Sequence, residues 1–187
     1  MCNEKRTYTM HSIVGRAPHF SNRVQAMTPK PFHITTIGSG SLFAMRMPDA
    51  NDLKNNLRNL HNSGIDKVLC LIEPDEADQL GLSAEEELTK DSGMAFERYA
   101  IADFGVPDYP GLNPLITSIL NDIRQGKNVL VHCRGGIGRT GLVCCCVLIA
   151  NGMDATSSIQ TVSKKRGTRV PETDAQLAMI QRYWQDC

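Results

Sequence analysis

The chain has 187 residues, 41% of them hydrophobic, which is enough for one domain of the larger common sort to close its core without staples. Twenty basic and twenty acidic residues cancel to a formal net charge of zero. That balance excludes a nucleic-acid or membrane-surface binder working by bulk attraction, so any electrostatic recognition must be local. Seven cysteines, three of them consecutive at Cys144, Cys145 and Cys146, suit a reduced interior better than a disulfide framework and point to a reducing, cytoplasmic setting. No window is apolar enough for a signal peptide core or a membrane span, so a soluble protein without a membrane partner is expected.

Residues 1–30 show little periodicity and read as an N-terminal arm, leaving 31–187 as the domain. Phe32 to Ile37, the Gly38-Ser39-Gly40 turn and Leu42 to Met45 form a hairpin signal. Asp49 to Ser63 sets Leu53, Leu57 and Leu60 on one helical face, with Gly64 as the stop. Lys67 to Ile72 reads as a buried strand. Glu73 to Asp91 is dominated by acids, including Glu76, Glu85, Glu86 and Glu87, and reads as one or two short helices with a solvated acidic face. Met94 to Ile101 is a fourth strand, followed by a loop rich in Pro, Gly and Asp. Helical patterns cover Leu112 to Gln125, Arg139 to Asn151, Asp154 to Lys165 and Glu172 to Trp184, with a fifth strand at Asn128 to His132. Strands alternating with helices predict an α/β fold: a central mixed sheet of about five strands flanked by helices.

The chemistry concentrates at His132-Cys133-Arg134-Gly135-Gly136-Ile137-Gly138-Arg139-Thr140-Gly141, where strand, tight loop and helix follow one another. Loop amides and the helix N-terminus converge on one anion, with a thiol at the centre. Gly135, Gly136 and Gly138 permit the tight turn. A free thiol has a pKa of roughly 8.5, and the amides, the helix N-terminus and Arg139 would all favour its anion. The same groups would bind a phosphate dianion, with the Arg139 fork taking two oxygens. Thiolate attack would give a cysteinyl-phosphate and split hydrolysis into two displacements with no metal or other cofactor. Thr140 is positioned to donate to the Cys133 sulfur, and His132 to fix the loop. A proton donor is still needed, and Ala102-Asp103-Phe104-Gly105-Val106-Pro107-Asp108 offers two acids. Asp103, directly after the strand, is preferred to Asp108, which lies where a helix begins.

Cys-x5-Arg-Thr preceded by His, with an Asp-Phe-Gly-Val-Pro-Asp loop upstream, resembles the cysteine-dependent protein tyrosine phosphatase superfamily in its compact dual-specificity form. From Phe32 to Trp184 the layout is similar to that of the kinase-associated phosphatases. The resemblance implies a protein tyrosine phosphatase-like fold. It implies Cys133 as nucleophile, Arg139 as phosphate ligand together with Arg134, Gly135, Gly136, Ile137 and Gly138, Asp103 as general acid and base, and Thr140 as an aid to thiolate release. It also implies a phosphorylated protein substrate, such as a kinase. Pro171 to Gln176 resembles the loop that positions the hydrolytic water, with Glu172 where a glutamine is usual, so Gln176 could share that task or simply cap a helix. Cys70 is similar in placement to a cysteine that forms a protective disulfide with the nucleophile, and a buried core thiol is its alternative. Glu73 or Glu76 could anchor Arg139.

Other functions fit less well. A phosphoinositide phosphatase would want lysines inside the loop, where only Arg134 is charged. An RNA 5′-triphosphatase would want a basic channel, whereas Lys164-Lys165-Arg166 with Arg169 read as solubilising a helix end. Arsenate reduction and a catalytically inactive phosphate-binding module share the fold logic but leave the upstream acid unexplained.

Overall fold

The computed structural model describes residues 29–187; the arm expected at 1–30 lies almost wholly outside them. Five strands form one mixed sheet in the order β1-β2-β5-β3-β4. They are β1 (Phe32–Ile37), β2 (Gly40–Arg46), β3 (Lys67–Cys70), β4 (Ala95–Arg98) and β5 (Asn128–Cys133). The hairpin β1–β2 is antiparallel and every other pair is parallel. The expected α/β architecture is therefore the observed one.

Among the described residues seven α-helices cover the sheet: α1 (Leu53–Asn62), α2 (Pro74–Gln79), α3 (Glu85–Asp91), α4 (Tyr109–Arg124), α5 (Gly138–Ala150), α6 (Ala155–Arg166) and α7 (Asp174–Asp186). The chain passes from β2 to β3 and β4 through α1, α2 and α3 and returns to β5 through α4, and the right-handed rule for parallel crossovers then requires α1, α2 and α3 on one face and α4 on the other. The remaining helices gather on the α4 side, where α5 packs against α4, α6 and α7 as well as β5 and β2.

Helix starts and strand lengths differ from the sequence pattern for local reasons. α4 begins earlier than expected because Asp108 caps it, accepting from the Gly111 amide at 2.9 Å, and Pro110 fits the first turn. β3 and β4 are shorter than their apolar runs, because Leu71, Ile72 and Ile101 continue buried beyond the ladder.

β5 is central, and Val129, Leu130, Val131 and His132 are all fully buried, as a parallel strand covered on both faces requires. The crevice that matters lies at the carboxyl end of β5, where chain order along the sheet reverses. The loops after β2, β3, β4 and β5 all meet there. No helix among the described residues is long and apolar enough to cross a membrane.

Candidate active site

Cys133 ends β5 and is 2% exposed. The chain then turns through Arg134 to Ile137 into α5, and the Gly136 amide donates to the Cys133 sulfur at 3.2 Å. Gly136 has φ of +68°, and a β-carbon there would collide with the Met45 carbonyl at the end of β2. Only glycine meets both demands. The Met47 amide donates to the Arg134 carbonyl at 3.2 Å, so the loop is fastened to the neighbouring strand end.

The start of α5 differs from its neighbours. α4, α6 and α7 each have a side-chain cap, from Asp108, Asp154 and Thr173, whereas Ile137 leaves the α5 N-terminus uncapped. Its first amides are free for an anion, and the helix dipole favours negative charge there.

Arg139 is nearly buried and fully engaged at its outer nitrogens. Nη1 donates to Glu76 Oε2 at 2.6 Å and to the Ile101 carbonyl at 3.0 Å; Nη2 donates to Glu76 Oε1 at 2.9 Å and to Asp103 Oδ1 at 2.8 Å. Of the two acids considered as anchors, Glu76 makes the contact, while Glu73 sits at the N-cap of α2. The hydrogen bonds from Arg139 hold the Glu76 carboxyl below the usual range, outweighing a modest burial cost. Burial disfavours the Arg139 charge, and the Glu76 bond together with the nearby Cys133, Glu76 and Asp103 groups outweighs it.

Asp103 reaches the cradle and Asp108 does not. The Asp103 side chain, 37% exposed, touches Arg139 and lies 3.9 Å from Arg134. Asp108 is spent on the α4 cap and on the Tyr99 hydroxyl, 3.1 Å away. Beside Asp103, Phe104 is 60% exposed with φ of +58°, a left-handed conformation uncommon for a bulky residue. The Asp103 carboxylate accepts from the Phe104 amide at 3.2 Å, and the Thr173 hydroxyl donates to the Phe104 carbonyl at 3.5 Å.

Gln176 makes the helix cap considered for it. It is fully buried and completes a capping box with Thr173. Its amide nitrogen also donates to the Gly105 carbonyl at 3.1 Å, tying α7 to the Asp103 loop. A β-carbon on Gly138 would meet Glu172 and, at 2.9 Å, the Gln176 side-chain oxygen, so both residues abut the start of α5.

One expected contact is not made. The Thr140 hydroxyl is buried without a hydrogen-bond partner among the described residues and does not donate to Cys133. Cys70 and Cys133 are both free thiols. The sheet register pairs Cys70 with His132, and on its other side with Arg98, whose Nη1 lies 3.6 Å from the Cys70 sulfur.

His132 points away from the cradle. Its Nε2 lies 2.8 Å from Glu85 Oε1, with both side chains 0% exposed. The contact is an ion pair whose alignment falls outside that of a hydrogen bond. Burial alone would push the imidazole down, but the Glu85 charge and the adjacent Cys70 hold it well above its usual value. Burial likewise opposes the Glu85 carboxylate, and His132, Cys70 and Arg98 together override it.

The acidic segment 73–91 is therefore not simply a solvated face: Glu76 and Glu85 both turn inward. Nor does the whole Lys164-Lys165-Arg166 cluster face water. Arg166 is buried, with Nε donating to the Gly136 carbonyl at 2.8 Å. A signal for it existed, because Ala155, Ser158, Val162 and Arg166 are spaced to share one helical face, and all four are buried in α6.

Comparison with known proteins identifies the family. Residues 34–182 match the family model described as PTP-SAK, Swiss Army Knife protein, DSP-PTPase phosphatase domain. Protein tyrosine phosphatase domain-containing protein 1 of Danio rerio is 27% identical over 155 residues, covering 77% of this chain and 22% of the relative. Cyclin-dependent kinase inhibitor 3 of Rattus norvegicus is 22% identical over 134 residues, covering 71% of this chain and 63% of the relative. The chain thus spans about a fifth of the first relative and under two thirds of the second. A crystal structure of kinase associated phosphatase, with its catalytic-site cysteine replaced by serine, superposes with a TM-score of 0.79 at 18% identity, over 87% of this chain and 97% of the other. At that identity the likeness speaks for the fold. With the family model matched from β1 to α7, the chain belongs to the PTP-SAK family of DSP-PTPase phosphatase domains.

Proposed function

We propose that this chain is a protein phosphatase that hydrolyses phosphotyrosine, with phosphoserine and phosphothreonine as further substrates, through a cysteinyl-phosphate intermediate. The observation that carries the reading is the thiol of Cys133, 3.2 Å from a loop amide at the uncapped end of α5 and flanked by the anchored Arg139.

Asp103 stands where a phosphate oxygen would go. The Nη hydrogens of Arg139 are taken by Glu76, Ile101 and Asp103, and Nε makes no hydrogen bond among the described residues. An incoming phosphate displaces Asp103 from Nη2, takes Nη2 and Nε as a fork, and leaves Glu76 and Ile101 gripping the far side. The displaced carboxyl then stands over the leaving group. In the first step the thiolate bonds to phosphorus, the ester P–O bond breaks, and protonated Asp103 gives its proton to the departing oxygen. In the second, water bonds to phosphorus as Asp103 takes its proton, and the S–P bond breaks to return the thiolate. Gln176 and Glu172, against Gly138, are suited to orient that water.

The exposed ring of Phe104 beside Asp103 favours an aromatic phosphoester. The similarity to relatives named cyclin-dependent kinase inhibitor 3 makes a kinase a candidate partner. The test is turnover of an aryl phosphate and of matched phosphopeptides, phosphoinositides and 5′-triphosphorylated RNA. Phosphopeptide cleavage that disappears in Cys133→Ser is expected; equal activity in both proteins, or cleavage of the lipid or RNA alone, would overturn the reading.

A further inference from the structure

Three buried cations surround the end of β5, and two have acidic partners. Arg139 faces Glu76 and Asp103, and His132 faces Glu85. Arg166, on α6, has no carboxylate within ion-pair distance among the described residues. Its contacts are the Gly136 carbonyl at 2.8 Å from Nε, the Gly135 carbonyl at 3.5 Å from Nη2, and the Phe32 ring, 4.2 Å beneath the guanidinium carbon. Nη1 is buried with no hydrogen-bond partner among the described residues. A buried cation without a counterion is costly, so an anion nearby would relieve it.

The two carbonyls also matter for direction. In a trans peptide the C=O and the next N–H point opposite ways. The carbonyl of Gly135 and the amide of Gly136 belong to one peptide plane. Arg166 holds the carbonyl end, and the amide end donates to the Cys133 sulfur at 3.2 Å. The next plane repeats the arrangement: Arg166 holds the Gly136 carbonyl, which turns the Ile137 amide to the opposite side, toward the cradle.

We infer that Arg166 is a positioning residue for the reaction proposed above. Acting through the 135–136 and 136–137 peptides, it turns two amides toward the sulfur and the bound phosphate, and it supplies the buried positive charge that balances them. Arg139 cannot supply that balance alone in this state, because one guanidinium there meets two carboxylates. The inference rests on the phosphatase reading for its chemistry but not for its measurement.

The charged and titratable groups around Cys133 are His132 on β5, Arg46 paired with Cys133 at the end of β2, Arg134 in the loop, Arg139 and buried Cys144 on α5, Glu76 on α2, Asp103 after β4, Glu172 before α7 and Arg166 on α6. Only Arg166 is changed in the test. The full chain and its Arg166→Met and Arg166→Lys variants are alkylated with iodoacetamide across pH, and the Cys133 peptide is followed by mass spectrometry. Inorganic phosphate binding and aryl phosphate turnover are measured beside it, and circular dichroism monitors folding.

In Arg166→Met the alkylation midpoint should rise by roughly one pH unit, and phosphate affinity should fall by about tenfold. Arg166→Lys, which keeps the charge but loses the fork, should recover most of the midpoint while phosphate binding and kcat/KM stay reduced. Equal midpoints and equal phosphate affinities in all three folded proteins would overturn the inference. If Arg166→Met does not fold, Arg166→Lys decides: a near-native midpoint with weakened phosphate binding supports the role, and native values of both overturn it. A wild type that turns over no phosphoester would refute the phosphatase reading, while the midpoints and phosphate affinities would still judge Arg166.

Discussion

Two ion pairs flank the end of β5, and they differ in what water and substrate can reach. In front, Arg139 is gripped by Glu76 and touched by Asp103, whose side chain is 37% exposed. Behind, His132 and Glu85 are both 0% exposed. Exchanging partners is cheap in the front pair, because water can solvate Asp103 when it leaves. In the rear pair, losing either member would strand a charge in the core. The front is therefore suited to chemistry and the rear to holding the strand end still.

The comparison predicts a division between activity and stability. Arg139→Lys keeps the charge but not the fork, and kcat/KM should fall by about 10²–10³-fold while the unfolding temperature moves little. A thermal loss as large as that of the rear pair would erase the distinction. Asp103→Asn should lower kcat by roughly 10²-fold and remove the basic limb of the pH–rate profile. An unchanged limb would transfer the proton to another group.

Glu85→Gln should cost about 3–5 kcal/mol in thermal or urea unfolding, because it leaves a buried imidazolium unpaired. The pH dependence has two signs. Glu85 is depressed, so its contribution is present above the ordinary value of 4.5 and is lost as pH falls through its lower folded value. His132 is raised, so its contribution is full below the ordinary value of 6.5 and is lost as pH rises through its higher folded value. The gap between wild type and Glu85→Gln should thus be widest between 4.5 and 6.5 and shrink on either side.

The smallest effect is expected at Glu76→Gln, about 1 kcal/mol, since its carboxylate is partly solvated. Glu76 is also depressed, so the two proteins should converge in acid as pH falls through its folded value. A cost matching that of Glu85→Gln would mean that the front pair carries as much of the fold as the rear.

The cradle was legible because its chemistry is local in sequence: glycines, cysteine and arginine follow within one strand-loop-helix unit. Asp103 was legible because it lies just after the segment 94–101 that reads as the fourth strand, although β4 itself ends at Arg98. Glu85 and Arg166 were not, for the same reason in both cases. Each lies in a run of like charges, Glu85-Glu86-Glu87 and Lys164-Lys165-Arg166, where composition says surface. The helical period decides otherwise, burying the first of one run and the last of the other while their neighbours stay in water. Thr140 shows the opposite failure: the motif assigned its hydroxyl a partner that the backbone does not deliver.

α5 is apolar around almost its whole circumference, with every residue from Gly138 to Ile149 buried. The helix whose first turn faces the anion is thus also the axle on which α4, α6 and α7 are mounted. An oxyanion that seats on that turn binds the native state and not the unfolded chain, so its occupancy is written into the melting temperature of the entire domain. At a hundredfold excess over Kd the gain is about 2.7 kcal/mol. A thermal shift with phosphate, tungstate or vanadate therefore reads the cradle directly, without a substrate in hand.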